Sequence, residues 1–259
     1  MINFIDSFRA KLKAKELCLG TGITLNDPAV IEALAPSLDF VWIDLEHNPI
    51  GMETLLGHLI AARATGTPSL VRVPGSDPLF TKRVLDSGAE GIIFPQVRTA
   101  EEVRKMVSCC RYTPLGNRGW GPRRPSEYGR RAQAQIVREG NEGLFVVAQI
   151  ENAQAVAELD EIVKIPGLDS VAIGPYDLSA DLGLLGQLDH PSVLESIESI
   201  IHKGHEAGLP VGVGDEASAE SSIRWAQMGI DWIQCGCDFA YLIKSADELT
   251  EKVRHATLP

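Results

Sequence analysis

The most constraining feature of this sequence is a short apolar segment that recurs along the chain, each time followed by a stretch with helix-forming character. The spacing is about 30 residues, which is the length of one strand–helix unit of a parallel sheet. Eight such units in 259 residues predict an α/β fold, a single (β/α)8 TIM barrel that takes up residues 1–259 as one domain. The predicted strands are residues 18–23, 40–46, 70–73, 91–97, 144–151, 170–174, 210–214 and 231–236.

The segments outside the strands also carry structural signals. A short helix is predicted at 4–16, before the first strand, and a helix over 239–255 is expected to close the chain. Thr99, with Glu102 three residues on, predicts a capping box at a helix start. The main alternative fold is a doubly wound open sheet, but no G-x-G-x-x-G motif follows the first strand. Further expectations are helices near 127–140 and over 152–163, an irregular segment at 112–128 rich in Gly, Pro and Arg, and a loop after the sixth strand.

Composition limits the classes of partner. The net charge of −11 argues against a nucleic-acid surface and against an anionic membrane face. No apolar run approaches the roughly 18 residues of a membrane span, and the first residues do not resemble a signal peptide. We therefore expect a cytoplasmic enzyme that binds neither nucleic acid nor membrane.

The cysteine count is odd, at five, and no CxxC pair occurs. A disulfide framework or a zinc site is therefore poorly supported, and a reducing compartment is favoured. Cys235 and Cys237 lie two residues apart on a predicted strand, so they are expected to share one face as small core residues.

Two carboxylates follow neighbouring predicted strands. Glu151 ends the fifth strand, and Asp177 follows the sixth. In a TIM barrel the active site lies at the carboxyl ends of the strands, so these side chains are expected to meet there. Two carboxylates with hard oxygen ligands are typical of a binding site for a divalent metal. The alternative is that each carboxylate caps the helix that follows it.

Other strand ends supply a cation and a base. Arg72 lies inside an apolar strand, where a guanidinium needs a partner or a polar centre. It is either a structural ion pair or a clamp for a carboxylate or an enolate oxygen. His47 follows Asp44 and Glu46 at the end of the second strand, and it is either a turn residue or an acid–base group beside the metal.

Several strings of the sequence, in order, also resemble a known family, the HpcH/HpaI class II aldolases. The resemblance implies a metal-dependent carbon–carbon lyase that reversibly cleaves a 4-hydroxy-2-oxo acid to pyruvate and an aldehyde through a metal-stabilised enolate. It further implies a role in the breakdown of aromatic compounds or sugar acids. The strings are DFVWIDLEHNP at 39–49, VRVPG at 71–75, RVLDSGAEGIIFPQV at 83–97, RYTPLGNRG at 111–119, VAQIE at 147–151 and GPYDLSADLG at 174–183.

Carried over by position, the resemblance implies roles for individual residues. Glu151 and Asp177 would bind Mg²⁺, Mn²⁺ or Co²⁺. Arg72 would contact the 2-oxo acid, and His47 would be the acid–base residue. The other implied site residues are Asp44 beside the base, Asp86 reaching the histidine of a neighbouring subunit, and Gln149, Gly174 and Pro175 on the substrate side.

The resemblance also implies an assembly and leaves alternatives open. It implies a hexamer, a trimer of dimers, in which the C-terminal helix is exchanged between subunits. Leu45 stands where a typical member has glycine, and the loop from Trp120 to Arg124 is bulkier and more basic than expected. Both regions border the predicted pocket, so the aldehyde is left unspecified. The alternatives are a lyase acting on a citrate- or malyl-CoA thioester, whose ligand could use the basic loop residues Arg118, Arg123 and Arg124, and a barrel that only binds.

Overall fold

Eight parallel strands close into a barrel in the computed structural model, which describes residues 4–257. Each strand pairs with the next in sequence, and β8 pairs with β1. The predicted TIM barrel is therefore confirmed. The strands are β1 Cys18–Ile23, β2 Phe40–Asp44, β3 Ser69–Arg72, β4 Gly91–Phe94, β5 Phe145–Ile150, β6 Ser170–Ile173, β7 Val211–Asp215 and β8 Trp232–Cys237.

Helices surround the barrel and follow the strands in alternation. The capping box predicted at Thr99 is present, with Glu102 as its second member. The helices are α1 Ile5–Lys13, α2 Ala29–Leu34, α3 Met52–Thr65, α4 Pro78–Asp86, α5 Ala100–Cys110, α6 Gln133–Glu142, α7 Ala153–Ala157, α8 Leu159–Ile162, α9 Pro175–Asp181, α10 Pro191–Glu206, α11 Ala219–Gln227 and α12 Asp238–Thr257, with a 3₁₀ turn at Ala35–Ser37.

Aromatic side chains fill the amino-terminal half of the barrel interior. Phe8 of α1 packs its ring 5.1 Å from that of Phe40 and 5.4 Å from that of Phe145. Trp232 contacts the same group, with its ring centroid 5.6 Å from Phe40. Because α1 and these rings close one end of the barrel, polar chemistry is confined to the carboxyl ends of the strands.

The helix expected near 127–140 begins later, at Gln133. Glu127 and Tyr128 have φ of 51° and 58°, and Gly129 has φ of 93°. Three consecutive residues in the left-handed region form turns and cannot belong to a right-handed helix. The prediction was therefore wrong for the first residues of this segment.

Two other expectations about helices were incomplete. The segment 152–163 forms two short helices, α7 and α8, which meet at Glu158. The expected loop after the sixth strand begins instead with α9, which has Pro175 at its first position. Proline is compatible with that position because the first amide of a helix has no acceptor within it. As a result, Asp177 lies in the first helical turn.

Cys235 and Cys237 do not share a face, so that prediction was also wrong. Gly236 between them has φ of 70°, and the pairing of β8 with β1 changes register at this point. The Sγ atom of Cys235 lies 3.6 Å from the hydroxyl of Ser222 on α11, outside the barrel. The thiol of Cys237 lies near the side chain of Gln234, on the other side of the strand.

The last helix, α12, presents an apolar surface to solvent. Of its described residues only Asp238 is buried. Among residues 4–257, none of the helices combines the length and the hydrophobicity that a membrane span requires. The exposed apolar side chains of α12 are Phe239, Leu242, Ile243, Leu249 and Val253.

Candidate active site

Arg72 is held between two carboxylates at the carboxyl end of the barrel. Strands β2 and β3 pair with Asp44 opposite Arg72, which places both side chains at the same level. The Nε of Arg72 donates to Oδ1 of Asp44 at 2.7 Å, and its Nη1 lies 3.0 Å from Oε2 of Glu46. The guanidinium also lies 5.3 Å from the centre of the Trp42 ring. A cation fixed in this way is preorganised to receive an anionic group.

The charges of this cluster support one another. Burial opposes the charged guanidinium, but the hydrogen bond and charge of Asp44 raise the pKa of Arg72 above its usual value. Burial raises the pKa of Glu46, and the charges of Arg72 and His47 oppose that rise. Asp44 also accepts the backbone N–H of Glu46 at 3.1 Å and the side-chain amide of Asn48 at 2.7 Å. It therefore fixes the turn that carries His47.

Glu151 is a buried carboxylate at the same end of the barrel, with 1% of its surface exposed. Its Oε1 accepts the backbone N–H of Gln96 at 2.6 Å, and its Oε2 accepts the amide of Gln149 at 2.6 Å. Burial raises the pKa of Glu151 to about 7, against the hydrogen bond from Gln96, and the charges of Asp177 and Glu46 add to the rise. Buried anionic charge of this kind favours a cation.

Backbone geometry on two sides fits the Glu151 carboxylate. Gln96 has φ of 54°, an uncommon conformation for a residue with a side chain, and this conformation accompanies the hydrogen bond from its N–H to Glu151. On the other side lies Gly174. A Cβ atom there would overlap Oε2 of Glu151 and lie 2.9 Å from Nε2 of Gln149. Only glycine leaves room for the observed position of Glu151.

The oxygen atoms available here fit a divalent cation that is coordinated by protein side chains on one side and by water or substrate on the other. Glu151 and Asp177 offer carboxylate oxygens, and Asp177 is exposed to solvent on the first turn of α9. The Oε1 of Gln149 is buried and accepts no hydrogen bond from residues 4–257. Within the described chain no group of three or more His, Cys, Asp and Glu side chains could hold a metal. Mg²⁺ typically uses one or two carboxylates and completes its shell with water and substrate.

The predicted base lies at the rim and is open to solvent. The side chain of His47 is 61% exposed, and its Nε2 lies 3.7 Å from Oε2 of Glu46. Asp86 is on α4 and forms an ion pair with Arg118, whose Nη2 donates to it at 2.9 Å. Pro175 is buried directly after Gly174. Every predicted site residue except Asp86 therefore belongs to a strand, turn or helix start at the carboxyl end of the barrel.

A family model described as HpcH/HpaI aldolase/citrate lyase matches residues 23–244. The chain belongs to this family.

Two curated relatives are aldolases. The 4-hydroxy-2-oxo-heptane-1,7-dioate aldolase of Shigella flexneri is 34% identical and covers 95% of this chain and 92% of its own length. The 5-keto-4-deoxy-D-glucarate aldolase of Escherichia coli O139:H28 is 31% identical, with 96% of both chains covered. A solved HpcH/HpaI aldolase/citrate lyase family protein from Burkholderia cenocepacia J2315 superposes with a TM-score of 0.89 at 30% identity, over 96% of this chain and 99% of that one. The chain is an aldolase, a carbon–carbon lyase.

Two contributors to this site had no role assigned from the sequence. Glu46 contacts both Arg72 and His47. The sequence could have indicated this role, because residues two apart on a strand share a face and Asp44 was already a candidate. Gln96 acts through its backbone N–H, which no side-chain pattern could reveal.

Proposed function

We propose that this enzyme is a metal-dependent aldolase that reversibly cleaves a 4-hydroxy-2-oxo acid into pyruvate and an aldehyde. The observation that carries the proposal is the pairing of a buried carboxylate, Glu151, with a fixed cation, Arg72, at one end of the barrel. A 2-oxo acid has a matching pattern, since it offers a carboxylate and a carbonyl oxygen to a metal and a cation.

Glu151 and Asp177 are the residues that would hold the metal. When bound there, a divalent ion such as Mg²⁺, Mn²⁺ or Co²⁺ supplies Lewis-acid polarisation of the 2-oxo group. Gly174 keeps the space in which the Glu151 carboxylate lies, and Gln149 donates to it. The buried Oε1 of Gln149 is free to accept a hydrogen bond on the substrate side.

The residues of the chain divide the chemistry of bond cleavage between them. Arg72 binds the 2-oxo oxygen and stabilises the negative charge that grows there as the C3–C4 bond breaks, an interaction that is strongest in the transition state. His47 removes the proton from the C4 hydroxyl, so that this oxygen becomes the aldehyde carbonyl while the electrons of the C3–C4 bond pass to the enolate, which takes up a proton at C3 to give pyruvate. In the reverse direction the same groups act in the opposite order and form the bond.

The CoA-thioester alternative gains no support from the basic loop. Arg118 is bound to Asp86, and Arg124 donates to the backbone carbonyl of Ser87 at 2.9 Å. Both guanidiniums are therefore engaged in holding the loop on the barrel. A CoA phosphate would find fewer available cations there than the sequence suggested.

The proposal extends to assembly. We propose a homo-oligomer, a hexamer built as a trimer of dimers, in which the exposed apolar face of α12 packs on a neighbouring copy. Asp86 would then act at the histidine of a neighbouring subunit. The single-domain assignment over 1–259 and the cytoplasmic location stay predictions.

The test is pyruvate release from free 4-hydroxy-2-oxo acids of several chain lengths, measured with added Mg²⁺, Mn²⁺ or Co²⁺. We expect turnover that EDTA abolishes and metal restores. Cleavage of a CoA thioester with no turnover of free 2-oxo acids would contradict the proposal. Size measurement by light scattering, before and after deletion of residues 239–257, tests the assembly.

A further inference from the structure

One oxygen of Glu46 lies between the clamp and the base of the proposed reaction. Its Oε2 is 3.0 Å from Nη1 of Arg72 and 3.7 Å from Nε2 of His47. Within residues 4–257, Glu46 is the ion-pair partner of His47, whose ring is otherwise mostly in solvent. The carboxylate is itself held, because the backbone N–H of Glu46 donates to Asp44 at 3.1 Å.

A purely structural ion pair does not explain this arrangement. Arg72 already has a well-aligned partner in Asp44, at 2.7 Å. Glu46 is a second carboxylate of low exposure beside the same cation, and taking it out of water costs free energy. Because Arg72 is shared between Asp44 and Glu46, its attraction offsets that cost only in part. Moreover, Oε2 of Glu46 is buried and accepts no directed hydrogen bond from the described residues, despite its short distance to Arg72. Oε2 of Glu46 can therefore accept one more hydrogen bond.

We propose that Glu46 is a positioning residue that holds the His47 ring beside Arg72, so that proton removal and charge stabilisation act on the same bound substrate. This inference rests on the proposed aldolase function. The base must lie close to the C4 hydroxyl while the clamp lies at the 2-oxo oxygen. An exposed ring without a tether samples many orientations, and each unproductive orientation lowers the fraction of productive complexes.

The charged groups around Glu46 are of both signs. Arg72 is the cation next to it, the His47 ring lies on its other side, and Asp44 and Asp177 are anions close enough to influence it electrostatically. The anions repel Glu46, whereas its contacts with Arg72 and His47 favour its charged form in this position. A role that depends on those two contacts is therefore the one to test.

The experiment compares Glu46→Gln with a matched control, Glu206→Gln, in the full-length enzyme. Glu206 lies 3.3 Å from His202 on α10, with 64% of its side chain exposed, so the control removes the same charge beside another histidine. We expect Glu46→Gln to lower kcat for 2-oxo acid cleavage by about tenfold or more, with KM changed by less than about twofold. The control is expected to match wild type.

A double-mutant cycle separates positioning from structural support. If Glu46 acts through His47, Glu46→Gln lowers kcat by less than about twofold in a His47→Ala background. An equal loss of kcat in both backgrounds would overturn the inference, as would a Glu46→Gln variant with wild-type kcat. The metal affinity of each variant, measured by calorimetry with Mn²⁺, and the unfolding temperature are expected to stay at wild-type values; a fall in either that accounts for the loss of kcat would also overturn it. If wild type releases no pyruvate at all, the proposed function fails first, and this result is distinct from every result above.

Discussion

Gly174 lies so close to Glu151 that the side chain of any other residue would occupy the space of the carboxylate. The Cβ of Glu151 itself lies 2.8 Å from the position that a Cβ on residue 174 would take. The backbone of Gly174 has φ of −103°, which residues with side chains also adopt. The requirement for glycine at this position is therefore one of space and is imposed by a predicted metal ligand.

Gly174→Ala is expected to separate metal binding from folding. The added methyl group displaces the Glu151 carboxylate from its present position, so we expect Mn²⁺ affinity to fall by about tenfold or more. Overpacking of this kind costs about 1–3 kcal/mol, so the barrel should still fold. Calorimetric titration with Mn²⁺ and thermal unfolding measure the two effects. Gly51→Ala is the matched control, because within residues 4–257 no atom beyond its two chain neighbours lies within 4 Å of the added Cβ.

Arg72→Lys tests whether the fork of the guanidinium matters beyond its charge. Lysine cannot contact Asp44 and Glu46 through separate nitrogens and also reach the substrate. We expect kcat/KM for 2-oxo acid cleavage to fall about 100-fold or more, with metal affinity unchanged. Steady-state kinetics at saturating metal provide the measurement. Wild-type kinetics in this variant would identify Arg72 as a structural ion-pair residue only.

Glu151→Gln is expected to remove metal binding without weakening the metal-free barrel. The Gln149 amide can turn so that its unpartnered Oε1 accepts from the new amide, and the N–H of Gln96 keeps an acceptor. At pH 8, above the pKa of about 7, the variant also loses a buried charge. We expect an unfolding temperature in EDTA at or above that of wild type and no rise on adding Mn²⁺. A wild-type rise with Mn²⁺ would exclude Glu151 as a metal ligand.

The barrel and most of its site could be predicted from the sequence because both depend on local patterns. Buried parallel strands are apolar runs, and a carboxylate or a cation at the end of such a run stands out. Asp44, Arg72 and Glu151 are all found on this basis, and neighbouring strands bring the first two opposite each other. Strand order in a barrel follows chain order, so the pairing required no further information.

The remaining features depend on single backbone angles, which a residue pattern does not specify. The left-handed conformation of Gln96 turns its N–H toward Glu151, although nothing about glutamine favours it. Gly236 reverses the expected orientation of Cys237 in the same way. In both places tertiary contacts decide the local conformation, so the residue types alone do not reveal it.

Glu90 provides a prediction for stability that does not involve the active site. It accepts the backbone N–H of Phe4 at 3.0 Å, and burial raises its pKa from 4.5 to about 7, against that hydrogen bond. Between these two pH values the native protein keeps a proton that the unfolded chain has lost. The free energy of unfolding therefore falls as pH rises through this window. Below pH 4.5 the carboxyl is protonated in both states, and the stabilisation that the raised pKa of Glu90 provides is present in full.

Glu90→Gln mimics the protonated carboxyl at every pH. We expect the free energy of unfolding of this variant, relative to wild type, to increase between pH 5 and pH 8 by on the order of 2 kcal/mol. Glu151 titrates in the same range but is present in both proteins, so it cancels in the difference. Urea unfolding at several pH values measures the effect, and Glu198→Gln on the exposed surface of α10 is the control, for which a much smaller change with pH is expected. A flat difference for Glu90→Gln would mean that Glu90 ionises in the native protein much as it does in the unfolded chain.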